Sequence, residues 1–120
     1  MKLIDFYTGY EIDRELVFTE RNTENIVLFK IDLWYGYFDS IMRLISVTKK
    51  LDENGIYYSW QSIRGFYDDE LWECKNVDEF LKQLLDINTL DNDLKMVIDS
   101  LKQICQSTIH NKNKLYLEYL

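Results

Sequence analysis

Leu51-Asp52-Glu53-Asn54-Gly55-Ile56-Tyr57-Tyr58-Ser59-Trp60-Gln61 decides whether the middle of this chain is sheet or helix. Asn54-Gly55 is a turn signal, because both residues tolerate positive φ, and Ile56 to Gln61 is rich in the aromatic residues that favour strands. The segment before it, about 39–51, reads both ways. Ile41, Leu44, Ile45, Thr48 and Leu51 suit a helix capped by Asp39 or Ser40, while the β-branched Ile41, Ile45, Val47 and Thr48 suit a strand. The turn breaks the tie in favour of a hairpin from about 41–49 to 56–62.

Outward from that hairpin, Ile26 to Trp34 reads as a strand with Val27, Phe29, Ile31 and Leu33 on one face. Leu3 to Tyr7 is a short strand ending near Gly9, Leu16-Val17-Phe18 a possible one, and Glu70 to Lys75 another. Downstream, Asn76 caps a helix with Glu79 in the capping-box position, and Val77, Phe80, Leu81, Leu84 and Leu85 form its apolar stripe. A second stripe runs from Leu94 through Val97, Ile98, Leu101, Ile104 and Cys105 to Thr108, behind a cap at Thr89 or Asp91. Leu115 to Leu120 is a last strand or a docked tail. The expectation is one domain, 1–120, of α+β class. An antiparallel sheet of about five strands carries two amphipathic helices, about 77–87 and 91–109, on one face.

The 120 residues hold 14 basic and 21 acidic groups, giving a net charge of −7. That balance argues against a nucleic-acid binder working through a basic face. Lys49-Lys50 and Lys112/Lys114 are only local basic spots. Hydrophobic content of 47% is too rich for a disordered chain. Met1 to Asp5 does not read as a signal peptide and no run is long enough to span a membrane. The expectation is a cytoplasmic protein without membrane contact. Cys74, Cys105 and the single His110 make no metal framework. Two reduced, buried thiols are the default, and the sequence leaves a disulfide between them open. Pro and Ala are both absent, so Asn, Asp and Gly mark the boundaries.

The charge has a location. Residues 66–93 contain nine carboxylates and two lysines, equal to the net charge of the whole chain. They are interleaved with Phe66, Tyr67, Trp72 and Phe80. Carboxylates steer association with a basic groove, and Trp and Tyr supply anchor area. Tyr67, Asp68, Asp69, Glu70, Trp72, Glu73, Asp78 and Glu79 are therefore the candidate partner-binding residues, expected to flank one corner of the fold. The rings of Trp34-Tyr35-Gly36-Tyr37-Phe38 and Tyr57-Tyr58-Ser59-Trp60, if placed in a sheet, would cover both faces. The outer set is then a candidate surface for a homodimer.

Nothing names a reaction. His110 sits at a helix end, where capping suits it. Glu11, Asp13 and Glu15 alternate, so a strand would place them on one side as a possible Mg²⁺ or Ca²⁺ site, but an exposed polar segment explains them as well. Asp68-Asp69-Glu70 has the same reading. The four glycines are isolated, so there is no phosphate loop. No catalytic residue, cofactor or metal is expected.

Ile56-Tyr57-Tyr58-Ser59-Trp60, Leu71-Trp72-Glu73-Cys74 and Val77-Asp78-Glu79-Phe80-Leu81-Lys82-Gln83-Leu84 resemble the strand-then-helix ending of small bacterial immunity proteins. These are the cytoplasmic antidotes of contact-dependent growth-inhibition and related polymorphic toxin systems. The resemblance covers residues 55–87 and is one of general character, without a motif from which individual residues carry over. It implies a non-enzymatic protein that binds one toxin domain, often a nuclease, and blocks its active site. A phage or plasmid inhibitor that mimics nucleic acid has the same surface chemistry. A homo-oligomeric interaction domain is the third reading.

Overall fold

The computed structural model describes all residues, 1–120. Its elements are β1 (Lys2–Phe6), β2 (Glu15–Arg21), β3 (Val27–Trp34), α1 (Tyr35–Leu44), α2 (Ile56–Ser62), a 3-10 turn (Gly65–Tyr67), β4 (Trp72–Cys74), α3 (Val77–Leu85), α4 (Asn92–His110) and β5 (Lys114–Tyr119). The five strands form one sheet in the order β1-β3-β2-β5-β4. The α+β class and the number of strands agree with the sequence reading, although the expected strands at about 41–49 and 56–62 are not among the five. The sheet is mixed rather than antiparallel, because β3 inserts between β1 and β2 and pairs parallel with β1.

Burial alternates along β3 and β5 as the pleat requires, whereas β2, between them, is buried on both faces from Leu16 to Glu20. Leu16 and Phe18, Ile31 and Leu33, and Leu115 and Leu117 point into one core, which Phe38, Phe66, Phe80, Leu84, Leu101 and Ile104 complete. α1 and α4 lie against the sheet and α3 lies on α4. Asn76 accepts the Glu79 N–H at 3.0 Å and Asp91 accepts the Leu94 N–H at 3.0 Å, so both helices start on the caps the sequence names. No helix is long and apolar enough to cross a membrane.

The hairpin is the main correction. Residues 35–44 and 56–62 are helices, which makes four α-helices instead of two. Phe38, Ile41 and Met42 share the buried face of α1, a spacing of three and four that outweighs the β-branched content. Asn54-Gly55 is no hairpin turn: Gly55 has φ −85° and is the N-cap position of α2. A glycine stands there for another reason. The Glu79 carboxylate lies on its Cα, so that an added Cβ would sit 2.1 Å from Oε1. The other oxygen of Glu79 accepts the Asp52 N–H at 3.1 Å, and Asp52 accepts from Asn76 Nδ2 at 2.9 Å. This network ties the loop 45–55 to the start of α3. Gly55→Ala should displace the Glu79 carboxylate and lower stability by about 1 kcal/mol, the worth of one such bond. Glu79→Ala removes the same bond. In chemical denaturation the double variant should therefore lose less than the two single losses added together.

Candidate functional site

The strand directions divide the connections between two edges of the sheet. β1, β3 and β5 end, and β2 and β4 begin, at one edge, here the upper end. α4 leads into β5 at the lower end through a tight turn. Its 19 residues span about 28 Å, and α3, which leaves the lower end after β4, packs against it, so the connection between the two helices lies toward the upper end. The upper end thus gathers three connections distant in sequence: 7–14, 63–71 and 86–93. Together they carry Glu11, Asp13, Asp68, Asp69, Glu70, Asp86, Asp91 and Asp93 against Arg14 and Arg64. None of these eight carboxylates forms an ion pair. The lower connections 22–26, 45–55, 75–76 and 111–113 hold three carboxylates and four lysines. The charge run read from 66–93 is therefore one part of an acidic pole built by topology.

The candidate residues separate on this frame. Asp68, Asp69 and Glu70 are exposed at the upper end, with the Asp68 and Asp69 N–H groups tied to the Gly65 carbonyl at 2.9 and 3.0 Å. Tyr67 and Trp72 stand half-buried behind them. The Tyr67 hydroxyl shares a hydrogen bond with that of Tyr35, and its ring packs on Tyr119 at 4.9 Å between centroids. Burial raises the Tyr67 pKa, so the phenol is a neutral back wall. Trp72 meets Phe66 edge-on at 5.7 Å. Glu73 is half-buried on the sheet face opposite Cys74, 3.9 Å from Lys114. Asp78 and Glu79 follow β4 whereas Asp68 to Glu70 precede it, so they occupy opposite ends of that strand and share no corner. Glu79 is also held against the 45–55 loop.

The connection 7–14 has to cross the end of β3 to link β1 with β2, and it is built rigidly. Asp5 accepts the N–H groups of Tyr7 and Thr8 at 2.8 and 3.1 Å, and the Thr8 hydroxyl as well. The Tyr7 hydroxyl bridges the carbonyls of Glu11 and Asp13 at 3.2 and 2.7 Å. Gly9, at φ 102°, donates its N–H to Glu11 Oε1 at 2.9 Å. Tyr10 stacks on Trp34 at 4.0 Å, and Trp34 donates its indole N–H to Asp13 at 3.1 Å. Glu11 and Asp13 are thus spent on the loop, while Glu15 lies on β2. Burial, then the charge of Asp32, raises the Glu15 pKa. No group of three or more His, Cys, Asp or Glu side chains converges on a metal position.

The expected outer face of rings is also corrected. All nine Tyr and three Trp are half-buried, and within 35–44 and 56–62 the chain is helical, with Tyr35, Tyr37, Tyr57 and Trp60 turning their rings onto neighbouring rings. Cys74 and Cys105 are free and buried, and burial pushes the Cys74 thiol up to about 12. Sequence reasoning missed loop 7–14 as part of the acidic end. Its signal was Gly9 and two aromatics among Glu11 and Asp13. Compared with known proteins, the chain matches no family model, no curated protein and no solved structure.

Proposed function

We propose that this chain is an antidote: a non-enzymatic, cytoplasmic protein that binds a cognate toxin domain and occludes its basic, nucleic-acid-binding cleft. One observation carries the reading, the eight unpaired carboxylates gathered at the upper end. Unneutralised charge of one sign, focused on one pole, accelerates encounter with a surface of the opposite sign and repels nucleic acid. Asp68, Asp69 and Glu70 are the exposed members nearest the aromatic wall of Tyr67 and Trp72, and they face the cleft. Glu79 acts in the fold instead, through its bond to the Asp52 N–H.

The test uses the domain encoded immediately upstream of this chain's own gene, purified and assayed for binding and for loss of its toxic activity. Replacing Asp68, Asp69 and Glu70 together by Lys should slow association about tenfold at low salt. It should also flatten the dependence of the on-rate on ionic strength. The wild-type on-rate falls as salt rises, because screening weakens an attraction; the variant's should change less. An unchanged on-rate removes this surface from the interface, and failure of the upstream domain to bind removes the antidote reading.

A further inference from the structure

Ile12 is 99% exposed and Leu90 is 91% exposed, more than any other large apolar side chain in the molecule. Single exposed apolar residues are ordinary. These two have three properties in common that scattered residues lack. Both lie on connections of the upper end. Each has carboxylates beside it in sequence, Glu11 and Asp13 on either side of Ile12, and Asp91 and Asp93 following Leu90. Each lies inside a local hydrogen-bonded turn: Ile12 within the bonds of loop 7–14, and Leu90 between Thr89 and Asp91, whose N–H donates to Thr89 Oγ1 at 3.2 Å.

Tyr37 joins the two. Its ring meets Trp34 edge-on at 5.0 Å and its hydroxyl lies 3.1 Å from that of Tyr10, inside the cluster that supports the loop. The hydrogen bond with Tyr10, then burial, pushes its pKa up to about 12. α1, which carries Tyr37, packs against α4, so the cluster under loop 7–14 and the helix that Leu90 precedes share one body.

We propose that Ile12 and Leu90 are the apolar anchors of a protein-docking surface whose occupant presents hydrophobic sockets rimmed by lysine or arginine. The proposal rests on reading the acidic end as the partner-facing surface, and it adds the contacts that hold the complex once charge has steered it. A side chain already fixed in its bound position loses little freedom on binding, so an apolar knob on a tied loop gains more from burial than one on a mobile loop. Charge sets the on-rate and rim specificity, whereas desolvated apolar anchors set the off-rate. The unpaired carboxylates also choose the occupant. They repel phosphate backbones, and they repel the same end of a second copy.

Ile12→Ser and Leu90→Ser touch only solvent in the free protein and should leave its thermal midpoint unchanged. A phage-displayed library of random twelve-residue peptides, panned on the wild-type protein, probes the surface without a known partner. Enriched peptides should combine Leu, Ile or Phe with Lys or Arg, and should bind Ile12→Ser at least about tenfold more weakly. No enrichment, or peptides that bind both serine variants as tightly as wild type, overturns the proposal. The upstream-encoded domain is the second probe. If the peptides behave as expected and that domain does not bind, the antidote reading falls and the docking surface stands. If the domain binds wild type and both variants equally, the docking surface falls and the antidote reading stands.

Discussion

Replacing Glu20 by Ala should lower stability by about 3 kcal/mol, read as a lower urea midpoint at an unchanged slope. Glu20 is 1% exposed, and no cation pairs with it. Its carboxylate is satisfied by neutral donors: Ser107 Oγ at 2.5 Å on one oxygen, Asn113 Nδ2 at 2.6 Å and Asn111 Nδ2 at 3.2 Å on the other. These bonds fasten β2 to the last turn of α4 and to the turn into β5, where Lys112 adopts φ 54°. Alanine leaves a void and three donors without their acceptor. Ser107 and Asn111 lie close enough to water to recover part of the loss, which keeps the cost below that of a fully sealed site. Gln separates geometry from charge. Its carbonyl oxygen can accept from both asparagines while its amide donates to a Ser107 hydroxyl turned to accept. Glu20→Gln should therefore cost only about 1 kcal/mol. Equal damage from Gln and Ala would show that the negative charge, and not the pattern of acceptors, holds this corner.

Glu20 was legible in the sequence. Leu16, Phe18 and Glu20 alternate, so a strand that buries the first two also buries the third. Extending the short strand at 16–18 by one pleat would have exposed the carboxylate as a residue needing partners. The helices α3 and α4 were legible for the complementary reason: long amphipathic stripes with side-chain caps leave one periodicity to choose. The segment 35–62 was not. Local propensity favoured strands, and the choice fell to core contacts of Phe38, Ile41 and Met42 that no window of sequence contains. Gly55 shows the same limit. Its neighbour Asn54 suggested positive φ, whereas the glycine is there to admit Glu79 from α3.

The candidate site was legible only as a linear charge run. Asp68, Asp69 and Glu70 emerged with their aromatic wall, because that association is local. Glu11 and Asp13 join them only because β3 inserts between β1 and β2 and forces the first connection across its end. Asp78 and Glu79 leave the group because a three-residue strand separates them from it. Parallel pairing between strands that are not consecutive is the feature period-two patterning cannot report.

The same crossing makes Gly36 the residue on which the acidic end depends. Gly36→Ala should cost about 2 kcal/mol even though alanine favours helices over glycine by up to about 1 kcal/mol. The gain is smaller here, since Gly36 is the second residue of α1 and sits in its fraying first turn. The loss is larger. An added Cβ would lie 2.3 to 2.6 Å from three ring atoms of Trp34. That indole cannot swing aside freely, because it stacks on Tyr10, meets Tyr37 edge-on at 5.0 Å and donates to Asp13. Moving it forfeits the ring contacts, about 0.5–1.5 kcal/mol each, and a hydrogen bond to a carboxylate. Hydrogen exchange should then quicken at the amides of 7–14, and affinity for the peptides selected on the wild-type protein should fall although Ile12 is untouched. The decisive measurement is the sign in a second background. With Trp34→Ala already in place nothing obstructs the new Cβ, so Gly36→Ala should become neutral or stabilising. If it remains destabilising there, the glycine serves the backbone of α1 and not the seat of the indole, and the loop's rigidity has another source.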